Sequence, residues 1–222
     1  MSKFDEDLKD SKENWLRDLE IKEIKKEFEK KGYFFKNYIW VDEDKELSKR
    51  LQWSGVDLIV GDSKEFFIEI QVNKKHPKLF AFEILHDFYH KRFDPKDLSK
   101  FYKLESSFHF WFYLNEDKKR IDTTLFLDSR KLQRFYQELL EGSGVNVYLP
   151  KTYQKLVPGN KIKHRSWGKS KEIISNSFTY LNGGIRNQSC YVWIVPWVDI
   201  KECFVTDIGF MQRRLGEFKK AP

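Results

Sequence analysis

The feature that most constrains the fold of this 222-residue chain is a pair of apolar runs set on either side of a turn. Residues 56–60 are short and mostly apolar. Gly61-Asp62-Ser63-Lys64 is a turn signal, and residues 65–72 alternate as a half-buried strand does. A β-hairpin is predicted. Side chains alternate across a strand, so Phe66, Ile68, Ile70 and Val72 share one face and Phe67, Glu69 and Gln71 the other. The first face is wholly apolar and must be covered. The second carries two polar groups, and the hairpin brings Asp57, at the start of the partner strand, beside Glu69.

The rest of the chain supplies the cover. Leu16, Leu19, Ile24 and Phe28 recur at helical spacing within residues 11–31, with Ser11 as a plausible cap and Gly32 as a stop. Residues 33–41 read as a strand and residues 42–50 as a charged connection. Residues 79–85 are compatible with a third strand or with the start of a helix, because Phe80, Phe82, Ile84 and Leu85 fit both periods poorly. A short helix is expected over residues 97–105, strands over 108–114 and 123–127, and a helix over 128–141, capped by Asp128 or Ser129 and closed by Gly142. The aromatic run from Phe108 to Tyr113 reads as core. Residues 153–171 look loop-like and basic, and residues 191–198 and 202–205 read as further strands. A helix, then strands, then mixed elements predict an α/β domain with a mixed sheet, of α+β type.

Two carboxylates converging at the edge of a buried sheet repel each other unless a cation lies between them. Hard oxygen ligands of this kind suit Mg²⁺, or Mn²⁺, which completes its shell with water and substrate phosphate. A metal so held can activate water and stabilise charge developing on a phosphodiester. Gly55-Val56-Asp57 followed by Glu69-Ile70-Gln71 resembles the PD-(D/E)XK nuclease superfamily, in which an acid at a strand start and an acid-x-lysine pair on the next strand form a metal site. The segment Phe80-Ala-Phe-Glu83-Ile is reminiscent of phage and bacterial members.

The resemblance covers residues 11–115 and implies a restriction-endonuclease-like core over residues 11–142. A basic, β-rich extension over residues 143–222 follows it or continues the same domain. It also implies a Mg²⁺-dependent nuclease, acting first on DNA, with Asp57 and Glu69 as metal ligands. Gln71 stands where the family has lysine, and a neutral amide can position a water but brings no charge. Lys74 and Lys75 are near enough in sequence to supply a cation. The first helix often contributes a further acid in this superfamily. Of Glu20, Glu23 and Glu27, Glu20 is preferred because it follows Leu16 and Leu19 at the edge of the apolar stripe.

Lysine and arginine total 41 against 34 aspartate and glutamate, a net charge of +7 that favours a polyanionic partner. Lys163, Arg165 and Lys169, in the basic run with Trp167, are candidate phosphate contacts. A catalytically silent nucleic-acid-binding protein of the same fold is the alternative, and a homodimer is compatible with either. His86-Asp87-Phe-Tyr-His90 imitates a zinc-protease spacing if it is helical. Cys190 and Cys203 read as reduced, buried thiols. An acidic, polar start and the lack of an apolar run of roughly 18 to 20 residues point to a cytoplasmic protein away from membranes.

Overall fold

The structure, a computed structural model, describes residues 14–41, 51, 55–73, 79–86, 104–115, 117, 120–143, 161–166, 169–181 and 187–208. Helix α1 (Asn14–Glu29) leads into strand β1 (Tyr38–Trp40), then β2 (Leu58–Val60), β3 (Phe66–Asn73) and β4 (Leu79–His86). Strands β5 (Phe108–Leu114) and β6 (Ile121–Asp128) precede helix α2 (Ser129–Ser143), and β7 (Lys161–Ser166), β8 (Lys169–Leu181) and β9 (Asn187–Pro196) follow it. Two sheets result. One is mixed, in the order β1-β2-β3-β5-β6, and the other runs β4-β9-β8-β7. The chain is thus of α/β class, with helices and a mixed five-stranded sheet.

The first sheet begins as an antiparallel meander, β1 on β2 and β2 on β3, in which Leu58 pairs with Ile68 and Val60 with Phe66. β5 then joins β3 in parallel, Ile68 opposite Phe108 and Glu69 opposite His109, and β6 returns antiparallel. Parallel neighbours need a long crossover. Here it spans the residues between Asn73 and Phe108 and includes β4, which leaves for the other sheet and pairs with β9. A boundary at residue 142 therefore does not separate the two sheets.

Helix α1 lies against the apolar face of the first sheet. Leu16, Glu20, Ile24 and Phe28, each four residues apart, are all buried, which is the spacing that keeps one helical face turned to a sheet. Phe28 is the hub, its ring 5.2 to 6.2 Å from those of Tyr33, Phe35, Phe66, Phe108, Phe110 and Phe126. Past Glu29 the chain turns at Gly32, whose φ of 73° suits a residue without a Cβ. There the Lys31 and Tyr33 amides both donate to the Phe28 carbonyl. Helix α2 begins where Asp128 Oδ1 accepts from the amides of Arg130 (2.9 Å) and Lys131 (3.1 Å), the cap expected of an aspartate there. Leu132, Phe135, Tyr136, Leu139 and Leu140 form its buried stripe.

Several expectations are corrected. Residues 33–37 are not strand, because the Asp62 carboxylate takes the Lys36 and Asn37 amides at 3.0 to 3.2 Å and pins the segment to the hairpin turn instead of a ladder. Those amides also hold the Asp62 carboxyl below its ordinary pKa. Residues 79–85, open between strand and helix from their sequence, are strand. Residues 161–166 and 169–171 are paired strand, not loop, since Lys161 to Ser166 form an antiparallel ribbon with Lys169 to Ile174. Charge content misleads there, because an antiparallel strand can keep one face in water. Residues 202–205 are not a strand: the 3₁₀ turn Lys201–Cys203 is followed by a single bridge from Phe204 to Leu127. The α2 helix runs one residue past Gly142. Leu104 and Glu105 are not helical, and residues 97–103 lie outside the described residues. Cys203 is a free, buried thiol. Among the described residues no helix is long and apolar enough to cross a membrane.

Candidate active site on the hairpin

The hairpin seats Asp57 beside the middle of β3. Its amide donates to the Ile68 carbonyl (2.8 Å), and its Oδ2 accepts from the Ile70 amide (2.8 Å). Asp57 is thus bonded, through backbone and side chain, to both residues that flank Glu69. The carboxylate replaces a ladder bond that a regular β2 would make, which fixes its position by the strand itself. One strand further out, the Val41 amide donates to the Asp57 carbonyl (2.9 Å).

Glu69 is 4% exposed. Gly55, two residues before Asp57, has φ of 69°, and a Cβ there would stand 3.2 Å from Glu69 Oε2 and 3.0 Å from Leu104 Cδ1. Glycine at position 55 is therefore favoured by its backbone, and an added Cβ would crowd the Leu104 and Glu69 side chains. Two residues along the same face, Gln71 Oε1 is buried without a hydrogen-bond partner. An orphaned buried acceptor is costly and is commonly retained for a water or ligand.

Glu20 sits in the centre of the buried α1 stripe and not at its edge. Burial pushes its carboxyl up to about 8, against the opposing pull of Arg17, so it is largely protonated at neutral pH. The Arg17 guanidinium lies 4.9 Å from the Trp40 ring centroid. Glu23 and Glu27 instead pair with Lys26 and Lys30 on the helix surface. Among the described residues no group of three or more His, Cys, Asp or Glu side chains could hold a metal ion, so Glu20 does not complete a triad with Asp57 and Glu69. Two carboxylates are the number that Mg²⁺ ordinarily takes from a protein, with water and phosphate completing its shell.

Lys74 and Lys75 lie outside the described residues. Lys163 and Arg165 are on β7, which packs along β8 and α2, and Lys169 pairs with Ser166 at the turn end of that ribbon. His86 closes strand β4, which removes the helix that a zinc pair with His90 requires; residues 87–90 lie outside the described residues.

Sequence reasoning missed His109. It is wholly buried, and its register places it opposite Glu69. The signal was one polar ring interrupting the apolar run from Phe108 to Leu114, but its meaning depended on which strand lay alongside. Phe80, from the second sheet, covers His109 and Trp111 with ring centroids 5.9 and 4.2 Å away. Further along, Trp197 Nε1 donates to the Tyr113 hydroxyl (3.1 Å).

Comparison of the chain with protein-family models, curated proteins and solved structures gives no match. The class defined by the fold is that of a mixed-sheet α/β protein with a carboxylate pair on its central hairpin.

Proposed function

We propose that the chain is a divalent-cation-dependent phosphodiesterase acting on nucleic acid, with DNA as the first substrate to try. The observation that carries this reading is Asp57 bonded to both flanks of Glu69, with Gly55 leaving room against the Glu69 carboxylate. Asp57 and Glu69 would hold Mg²⁺ or Mn²⁺. A cation there would supply a water of lowered pKa and stabilise charge on the phosphodiester. Gln71 presents an unpartnered acceptor on the same face as Glu69, suited to orient that water. The net charge of +7 favours a polyanionic substrate.

The second reading is a nucleic-acid-binding protein without catalysis. It is favoured by the neutral amide at position 71, where the resembling family has lysine. One experiment separates the two: supercoiled, linear and single-stranded DNA and RNA are each incubated with the protein in Mg²⁺, Mn²⁺ or chelator. The nuclease reading expects cation-dependent nicking that Asp57→Ala and Glu69→Ala abolish while nucleic-acid binding persists. Undiminished cleavage by Asp57→Ala would sink the site, and binding without cation-dependent cleavage by the wild type would favour the second reading.

A further inference from the structure

We infer that the β1 edge of the five-stranded sheet, with Phe34, Tyr38 and Lys25, is a stacking platform for the bases of single-stranded nucleic acid. The inference rests on the nucleic-acid part of the reading above. It names the form of the polymer and the surface that grips it, away from the two carboxylates.

Strand β1 stands at the edge of its sheet, and it and the segment leading into it show two large rings to water. Phe34 is 72% exposed and Tyr38 41%. Phe34 is held outward because both of its neighbours are anchored in the core. The Tyr33 ring packs on Phe28 and Phe66 at 5.7 and 5.1 Å, and its hydroxyl donates to the Lys64 carbonyl (3.3 Å). Phe35 is buried against Phe28 at 5.4 Å. The Asp62 carboxylate then fixes Lys36 and Asn37 by their amides. An apolar ring presented on so constrained a segment loses little freedom when a partner covers it. Phe34 and Tyr38 are four residues apart, at most about 14 Å of extended chain, so one strand can cover both.

Charge identifies the partner. Lys25 Nζ lies 5.7 Å from the Phe35 ring centroid and 5.5 Å from that of Tyr38, and Lys22, Lys36 and Lys64 are exposed. The acids of the same region are largely engaged: Glu23 and Glu27 pair with Lys26 and Lys30, and Asp62 holds backbone amides. Glu29 and Glu65 remain. Lysines beside exposed rings suit a strand whose phosphates meet the ammonium groups while its bases stack on the aromatics. Only unpaired bases offer their faces in this way, which favours a single strand over a duplex. A second copy of the chain, docked edge to edge about a two-fold axis, would instead set the same lysines against one another. The edge also leads towards the carboxylates. Ile39, 51% exposed, is in register with Ile59 and through it with Phe67, on the face that carries Glu69, and Val41, just past β1, donates to the Asp57 carbonyl.

The test is fluorescence anisotropy of a labelled oligothymidylate and of a labelled duplex of equal length, titrated with the full chain in chelator so that neither is cut. Wild type is compared with Phe34→Ala, Phe34→Trp, Tyr38→Ala and Lys25→Gln, and with Lys131→Gln on α2 as a charge control. Folding is checked in each by circular dichroism. The expected result is about fivefold or greater weakening for the single strand in Phe34→Ala and Tyr38→Ala, with less than about twofold on the duplex. Phe34→Trp should bind the strand within about twofold of wild type or tighter, and Lys25→Gln should weaken it and reduce its salt slope by about 0.7. Lys131→Gln should leave strand affinity unchanged. Strand affinity unchanged in both alanine variants overturns the inference. So does equal weakening on strand and duplex, and so does a wild-type dimer that Phe34→Ala dissociates with strand binding intact, which marks the edge as a contact between copies. The two readings fail separately. Cation-dependent cleavage with strand binding indifferent to Phe34 and Tyr38 overturns the platform alone. Strand binding lost in the alanine variants of a chain that cleaves nothing overturns the phosphodiesterase reading alone.

Discussion

The two faces of the five-stranded sheet are buried by different chemistry. On the face under α1, Phe66, Phe108, Phe110 and Phe126 surround the Phe28 ring, and Ile68 lies in the same apolar cluster. On the opposite face the same strands carry Glu69, Gln71, His109, Trp111 and Tyr113. All but Gln71 of these are buried, and Gln71 is half-buried with its Oε1 enclosed. Apolar burial contributes about 25 cal/mol per Å², whereas an unmet polar group costs about 1 to 3 kcal/mol. The aromatic face can therefore be understood as the part that holds the sheet together. The polar face gives up stability, and retaining acids beside the central strand is intelligible if they bind something.

The contrast can be broken most forcefully at Phe28. Phe28→Ala empties the centre of the aromatic cluster and should cost about 3 to 5 kcal/mol in denaturant unfolding. Its folded fraction should still bind Mn²⁺, since Phe28 packs on the face of the sheet opposite Glu69. A loss below about 1 kcal/mol would show that the cluster does not carry the fold.

Glu20 is the exception on the aromatic side, an acid within the α1 stripe. Burial raises its folded pKa from 4.5 to about 8. Between those two values the unfolded chain gives up the proton while the folded chain keeps it. Stability therefore falls as pH rises from about 4.5 to about 8. Glu20→Gln should remove that slope and stabilise the protein at pH 8 and above by an amount on the order of a few kcal/mol. Parallel stability-against-pH curves for the two proteins would contradict it.

On the polar face, Gly55→Ala should have the opposite profile to Phe28→Ala. The φ of 69° and the close approach to Leu104 and Glu69 predict a loss of about 1 to 2 kcal/mol, with a disproportionate loss of Mn²⁺ affinity as the Glu69 carboxylate is displaced. Unchanged affinity would separate Gly55 from the site. Smallest of the four, Asp128→Ala removes the α2 cap and should cost about 1 kcal/mol while leaving cation binding untouched. A change in affinity there would show that the two regions are coupled.

Much of the apolar face was legible in the sequence because local rules decide it. Alternation over residues 65–72, the run at 108–114 and the aspartate before α2 each carry their structure in adjacent residues. Glu20 was half legible. Its spacing of four from Leu16 and Ile24 places it in the buried stripe, but its charge argued for the edge. The polar face was legible only as far as the hairpin reaches. Asp57 and Glu69 are joined by a short turn, whereas His109 comes beside Glu69 through a crossover of over thirty residues, a pairing that no local pattern announces. The basic stretch at 161–171 was misread because charge was weighed above alternation, and residues 33–37 because a side-chain clamp from Asp62 took the place of a strand partner.

The most direct test of the central claim is a Mn²⁺ titration of the wild type against Asp57→Ala and Glu69→Ala, with folding checked in each. A carboxylate pair that holds a cation predicts saturable binding of ~1 ion per chain, lost in both variants. Binding of equal strength in all three proteins, or none in the wild type, would contradict it.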